Sequence, residues 1–147
     1  MKKRHIEVTA TTSAGPAAVY ALVADGATWP QWSPMDSVEI ERPGATAPES
    51  VGAIRVNHKG RTIGRDEIIE LVPNERFVYR SLSGVPVRDY VGEITLTPAP
   101  DGGTTIRWQS SFFPKTPGMG WILQRVLTKF LRECVQGLAT AASEQRV

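Results

Sequence analysis

The chain has 147 residues, 41% of them hydrophobic and 22% charged, with a net charge of +2 and one cysteine, Cys134. That length suits a single domain over 1–147 that buries roughly 70% of its unfolded surface, so no metal, cofactor or disulfide is needed for stability, and a lone cysteine rules out an intrachain disulfide. The small net charge argues against a nucleic-acid partner, no apolar run approaches the roughly 18 residues of a membrane span, and the basic start, Lys2 to Arg4, leads into alternation instead of the apolar block of a signal peptide; cytoplasmic placement is the expectation.

Residues 3–11 alternate, with Ile6, Val8 and Ala10 opposite His5, Glu7 and Thr9, which predicts a half-buried strand. Ser13 is expected to cap a helix over 16–24, with Pro16 in its first turn and Val19, Tyr20, Leu22 and Val23 as its apolar face. Asp25-Gly26 ends it. The proline-rich run TWPQWSPM at 28–35 allows one helical turn and then a loop. Val38 and Ile40 open a strand that Pro43-Gly44 stops, and 43–50 reads as a loop. Strands follow over 53–58 and 62–72, joined at Lys59-Gly60, then over 76–82, 88–97 and 104–113, with PAPDGG at 98–103 as the clearest hairpin loop. Pro114 and Pro117 lead into a long helix, read over 116–147.

On that helix Leu123, Leu127, Phe130, Cys134, Leu138 and Ala141 recur at steps of three and four, widened by Ile122, Val126 and Leu131. Twenty-five residues would span roughly 37 Å, enough to cross a sheet. Its basic excess is net +3 over 115–147, which reads as a solvated face before an anionic partner surface. About seven strands with short connections predict an antiparallel meander. A curved sheet closed by one terminal helix makes an α+β fold with a pocket.

Period-two alternation assigns inner faces. They are Ile54, Val56 and His58; Phe77, Tyr79 and Ser81; Arg88, Tyr90, Gly92, Ile94 and Leu96; and Ile106, Trp108, Ser110 and Phe112. The 62–72 strand is ambiguous: Ile63, Ile69 and Leu71 favour the parity that also carries Arg65 and Glu67, whereas Ile68 and Val72 favour the other, and a bulge is one way to satisfy both. Each inner set grades from aliphatic to polar or aromatic. That suits a pocket with a packed floor and an amphipathic mouth, or a closed core with polar tips at its rim.

Candidate chemistry is sparse. Trp29 and Trp32 sit one helical turn apart. Trp29 reads as a plug at the sheet's end, and for Trp32 plug and pocket lining stay open. His5 and His58, the two histidines, have no metal-ligand spacing, and His58 lies beside a turn, which favours exposure over acid–base work. Arg65, Glu67, Arg88 and Tyr90 are the polar inner candidates. Glu67 would pair with Arg65 or Arg88, either as a rim network or with Arg88 and Tyr90 orienting a ligand carbonyl or carboxylate. Ser110 lacks an Asp/His signature, and Cys134, on the apolar stripe, reads as core. The residues expected to line the pocket are Trp32, Val56, Glu67, Tyr79, Arg88, Tyr90, Trp108, Ser110, Phe112, Leu127 and Phe130.

The order of these segments resembles the START/Bet v 1-like superfamily, in its polyketide cyclase/dehydrase branch (SRPBCC). The strand–helix opening with Pro16, TWPQWSPM at 28–35, VGAIRV at 51–56, EIIELVPNERFVYR at 67–80, EITLTPAPDGGTTIRW at 93–108 and the long helix after Pro114 carry the likeness, over nearly the whole chain. The resemblance implies a helix-grip fold and an internal cavity for a hydrophobic, aromatic or amphipathic small molecule. It carries no universal catalytic motif to a numbered position here. Binding or carriage of such a molecule is the first expectation. A cyclase/dehydrase using Arg88, Tyr90 and Glu67, and an interaction domain with a filled core, are the alternatives. Homodimerisation through an exposed strand edge stays open.

Overall fold

The computed structural model describes residues 2–144. Strand β1 (Arg4–Thr12) is followed by helix α1 (Pro16–Ala24), a 3-10 turn (Gly26–Thr28) and the single turn α2 (Trp29–Trp32). Then come β2 (Ser37–Arg42), β3 (Ile54–Lys59), β4 (Thr62–Val72), β5 (Arg76–Ser83), β6 (Val87–Pro98), β7 (Thr104–Pro114) and α3 (Gly120–Glu144). The last three residues of the expected 116–147 helix lie outside the described residues, and its start falls at Gly120 instead of Thr116, after the turn around Pro117. The cap of α1 is Gly15, not Ser13; Pro16 does occupy the first turn.

The seven strands form one antiparallel sheet in the order β1-β7-β6-β5-β4-β3-β2. From β2 to β7 each strand pairs with its sequence neighbour, and β1 closes against β7 through nine registered pairs from Arg4↔Phe112 to Thr12↔Thr104. The β2 edge displays Glu39, Glu41 and Arg42 to solvent, a charged border of the kind that discourages strand addition.

Helix α3 runs beside β1 in the same direction. Arg4 Nη1 donates to Gln124 Oε1 at 2.7 Å at one end, and Thr12 Oγ1 donates to the Ala139 carbonyl at 2.8 Å at the other. Gly137 sits where α3 crosses α2: a Cβ there would collide with the Trp32 carbonyl oxygen. The cost of a helical glycine, about 1 kcal/mol, is offset by this close approach. Burial along α3 is uneven. Leu131, Cys134, Val135 and Leu138 are buried in the core, whereas Leu123, Leu127 and Phe130 are only half-buried. The C-terminal half is packed solid, and the N-terminal half overhangs open space. No described helix is long and apolar enough to cross a membrane.

Register irregularities correct the expected inner faces. In β3 the inward positions are Arg55, Asn57 and Lys59, because Arg55 pairs across with Asp66 and Asn57 with Gly64 on the concave side. Val56 therefore faces outward beside Glu39 and Arg65. In β4, Ile69 is an extra residue, since Ile68 pairs with Tyr79 and Glu70 with Val78. Both parities of 62–72 are thus right, one on each side of the bulge: Thr62, Gly64, Asp66 and Ile68 point inward before it, and Leu71 packs on the core after it. In β6, two residues, Asp89 and Tyr90, oppose Phe112 alone, and Asp89 takes a left-handed φ of 52°. This bulge makes Val87 the buried residue and turns Arg88 out to solvent.

Candidate ligand cavity

A cavity of about 540 Å³ lies inside the curve of the sheet, beneath the N-terminal half of α3. Leu123, Leu127 and Phe130, the half-buried residues of the helix stripe, form its roof, with exposed Val126 beside them at its edge. Trp29, Tyr79, Tyr90 and Trp108 form an aromatic wall. Asn57, Asp66, Ser81 and Ser83 make a polar side, and exposed Lys59, Lys129 and Glu133 stand at the mouth.

The aromatic wall is locked from behind. Trp108 Nε1 donates to Tyr79 Oη at 3.1 Å, and the Tyr90 hydroxyl bonds the Ser110 hydroxyl at 2.8 Å. Phe112 stacks on Tyr90 with ring centroids 6.1 Å apart. Trp29 meets Trp108 edge-on at 5.7 Å, with its Nε1 donating to the Val23 carbonyl. Trp32 lies 4.6 Å from Trp29 and 6.2 Å from Trp108, and its Nε1 donates to Thr28 Oγ1. Every indole N–H on this wall thus has an acceptor, as buried polar groups require. Burial raises the Tyr79 phenol well above its usual range and pushes Tyr90 up to about 12. Both remain neutral hydroxyls at any physiological pH.

Asp66 is the carboxyl of the polar side. Asn57 Nδ2 donates to its Oδ2 at 2.6 Å across the β3–β4 pair. Desolvation raises its pKa to about 6, against the opposing pull of the Asn57 hydrogen bond and the Arg55 charge. Arg55, its pairing partner, is committed elsewhere. The guanidinium is buried between the rings of Trp29 (5.5 Å) and Phe77 (5.1 Å), binds Glu49 Oε1 through Nη2 at 2.8 Å, and donates to the carbonyls of Val23 and Ala24. It thereby neutralises the C-terminus of α1 and ties that helix to the sheet and to the 43–50 loop.

Of the residues expected at the pocket, Tyr79, Tyr90, Trp108, Leu127 and Phe130 line it together. Trp32, Ser110 and Phe112 are buried one layer behind, where they hold Trp29, Trp108 and Tyr90 in place. Val56, Glu67 and Arg88 are on the other face. Glu67 bridges Arg80 at 2.6 Å and Arg42 at 3.3 Å, and Arg65 pairs with Glu41; the expected pairing of Glu67 with Arg65 or Arg88 does not form. Trp29, expected as a plug, is itself a wall residue. Asn57 is hidden by the parity that points Ile54, Val56 and His58 inward, and Asp66 by the ambiguity of 62–72. The alternation Thr62–Gly64–Asp66–Ile68 was the available signal. Cys134 is fully buried and burial pushes its thiol up, in keeping with its place in the core.

Comparison with known proteins agrees with this architecture. The family described as polyketide cyclase/dehydrase and lipid transport matches residues 3–143. The chain belongs to this family. Among curated proteins none matches the sequence. Among solved structures it is similar to a START superfamily protein from Mycobacterium smegmatis (13% identity, TM-score 0.81, covering 95% of this chain and 97% of that one). It is also similar to a protein from Nitrosospira multiformis (21%, 0.77, 98% and 100%) and to norcoclaurine synthase from Thalictrum flavum in complex with dopamine and hydroxybenzaldehyde (13%, 0.76, 99% and 90%). At these identities the likeness establishes the START/Bet v 1-like helix-grip fold.

Proposed function

We propose that the protein binds a hydrophobic or amphipathic small molecule in the cavity beneath α3. The observation that carries this reading is the half-buried roof. Leu123, Leu127 and Phe130 leave apolar surface facing a space of about 540 Å³, within the usual range of small-molecule sites. A space lined by aromatic and aliphatic side chains with a few convergent polar groups gains stability when an apolar body fills it. The membership of the lipid-transport family supports the same reading. The interaction-domain alternative depends on a filled interior, and the cavity weighs against it.

The test is isothermal titration with 2-(2-naphthyl)ethanol, a neutral aromatic probe, followed also by the fluorescence of Trp29 and Trp108. The expected result is saturable 1:1 binding that Leu127→Trp abolishes while the far-UV circular dichroism stays unchanged. Binding of equal strength in the filled variant, or none in the parent, would reject the cavity as the site.

A second reading, a cyclase/dehydrase acting on a polyketide-like chain, is favoured by one observation: an ionisable carboxyl, Asp66, and a neutral phenol, Tyr90, face the same space. Arg88 and Glu67, on the outer face, have no part in it. This reading expects Asp66→Asn to lose turnover on a cognate polyketide while retaining its binding; unchanged turnover would exclude Asp66 as the acid–base group.

A further inference from the structure

Asp66 is placed in the cavity wall and forms no ion pair among the described residues, although the Arg55 charge acts on it across the β3–β4 pair. Among the described residues its side chain accepts one hydrogen bond, from Asn57 to Oδ2, and no lysine or arginine pairs with it. The nearest strand cation, Arg55, is held by Glu49 and by the carbonyls at the end of α1. A desolvated carboxylate in such surroundings favours a partner that brings positive charge and a donor hydrogen. Four aromatic residues, Trp29, Tyr79, Tyr90 and Trp108, line the same space. The faces of such rings attract cations and disfavour anions.

We propose that the cavity selects an amphipathic ligand bearing a cationic nitrogen, with that nitrogen against Asp66 and the apolar body against Leu123, Leu127 and Phe130. This rests on the binding function above and adds the class of ligand. An anionic amphiphile such as a fatty acid would set a second negative charge beside Asp66 in a region of low polarity, where like charges repel far more than in water. The other charged or titratable groups facing the space do not reverse this. Tyr79 and Tyr90 stay neutral. Lys59, Lys129 and Glu133 are exposed at the mouth, where solvent and salt screen them. Asp66 is ionised above about pH 6 and protonated below it, so the preference is strongest at alkaline pH and declines on acidification.

Three probes with one ring system test the proposal by titration calorimetry: 2-(2-naphthyl)ethylamine, 2-(2-naphthyl)ethanol and 2-naphthylacetate. At pH 8 the amine is expected to bind about tenfold tighter than the alcohol, and the acetate more weakly than either. At pH 5 the advantage of the amine shrinks. In Asp66→Asn the amine is expected to lose its advantage over the alcohol, with an unchanged far-UV circular dichroism spectrum showing that the variant is folded. In Glu133→Gln the advantage persists, separating Asp66 from the carboxylate at the mouth. If the alcohol binds but the amine is no tighter, or if the amine keeps its advantage in Asp66→Asn, the proposal is wrong although the cavity still binds. If none of the three binds, the binding function falls and the proposal falls with it.

Discussion

The phenol ring of Tyr79 lies across the β5–β6 pair directly over Gly92, its registered partner. A methyl group at position 92 would collide with Cε1, Cζ and Oη of that ring. The bare backbone of β6 therefore makes the room in which Tyr79 lies flat, accepts the Trp108 indole hydrogen and forms part of the cavity wall. A glycine in a strand interior has no side chain to pack, and here that deficit shapes the site.

Gly92→Ala should displace the Tyr79 ring and break its bond to Trp108. The expected loss is about 1–3 kcal/mol in urea unfolding, from overpacking and a buried indole N–H left without an acceptor. The near-UV circular dichroism should change with it, and binding of the neutral naphthyl probe should weaken. A crystal structure of the variant with Tyr79 unmoved and stability intact would refute this account.

Arg55 should be one of the most sensitive positions in the chain. Its guanidinium joins Glu49, the end of α1 and the rings of Trp29 and Phe77. Arg55→Met keeps much of the apolar stem but removes the guanidinium from the Val23 and Ala24 carbonyls and leaves Glu49 without its cation, so that Val23 keeps Trp29 Nε1 and Glu49 keeps the Gly26 N–H. A loss of about 3–5 kcal/mol is expected, the usual result of breaking a buried ion pair on one side. Arg55→Lys should fall between the two, because an ammonium cannot form the planar fork. Denaturant midpoints for the two variants within experimental error of the parent would show that the cluster is not what holds α1.

Asp66 should depress stability at alkaline pH. Its folded-state pKa, about 6, is above the ordinary value of 3.8. The folded protein thus binds more protons than the unfolded chain between these values, and stability falls as pH rises through that window. Asp66→Asn removes the charge while its amide oxygen still accepts from Asn57. It should stabilise the protein by on the order of 1–3 kcal/mol at pH 8, with the gain shrinking below pH 6 and gone by pH 3. Thermal melting across pH 3–8 checks this. A gain of equal size at both ends would mean that the effect is packing and not ionisation.

The outer-face charges should be nearly silent. Arg88→Ala is expected to change stability by less than about 0.5 kcal/mol and to leave probe affinity unaltered, because the bulge at Asp89 points Arg88 into solvent. Glu67→Gln should cost no more than about 1 kcal/mol, since its partners Arg42 and Arg80 are themselves exposed. A clear loss of binding in Arg88→Ala would place that side chain inside, contrary to the register of β6.

Much of the cavity was legible as pattern and misplaced in detail. Tyr79, Tyr90 and Trp108 lie on the face that alternation assigns them, because the alternation is unbroken from Phe77 to Tyr79, from Ile94 to Tyr90 and from Ile106 to Phe112. Arg88 does not, because one extra residue at Asp89 inverts the faces of everything before it. Period-two alternation points Val56 inward with Ile54 and His58, whereas the inward place belongs to Arg55 beside it. No propensity scale would put an arginine there. Its burial is stabilised by Glu49, the helix-end carbonyls and two aromatic rings, all distant along the chain. The same alternation hides Asn57, and the open parity of 62–72 hides Asp66.

Local composition was enough to settle the element order, the two main helices, the hairpins at Lys59-Gly60 and Pro98–Gly103, and the antiparallel α+β class. Each depends on neighbours a few residues away: alternation, helical spacing and turn residues. Which side chains share the interior was decided only when the strands paired. A single bulge moves a whole strand segment from one face to the other, and the partners that hold a buried charge come from far along the chain. The hollow under α3 is likewise a tertiary fact. Gly137 lets the far half of the helix settle against α2, and the hollow lies under the near half.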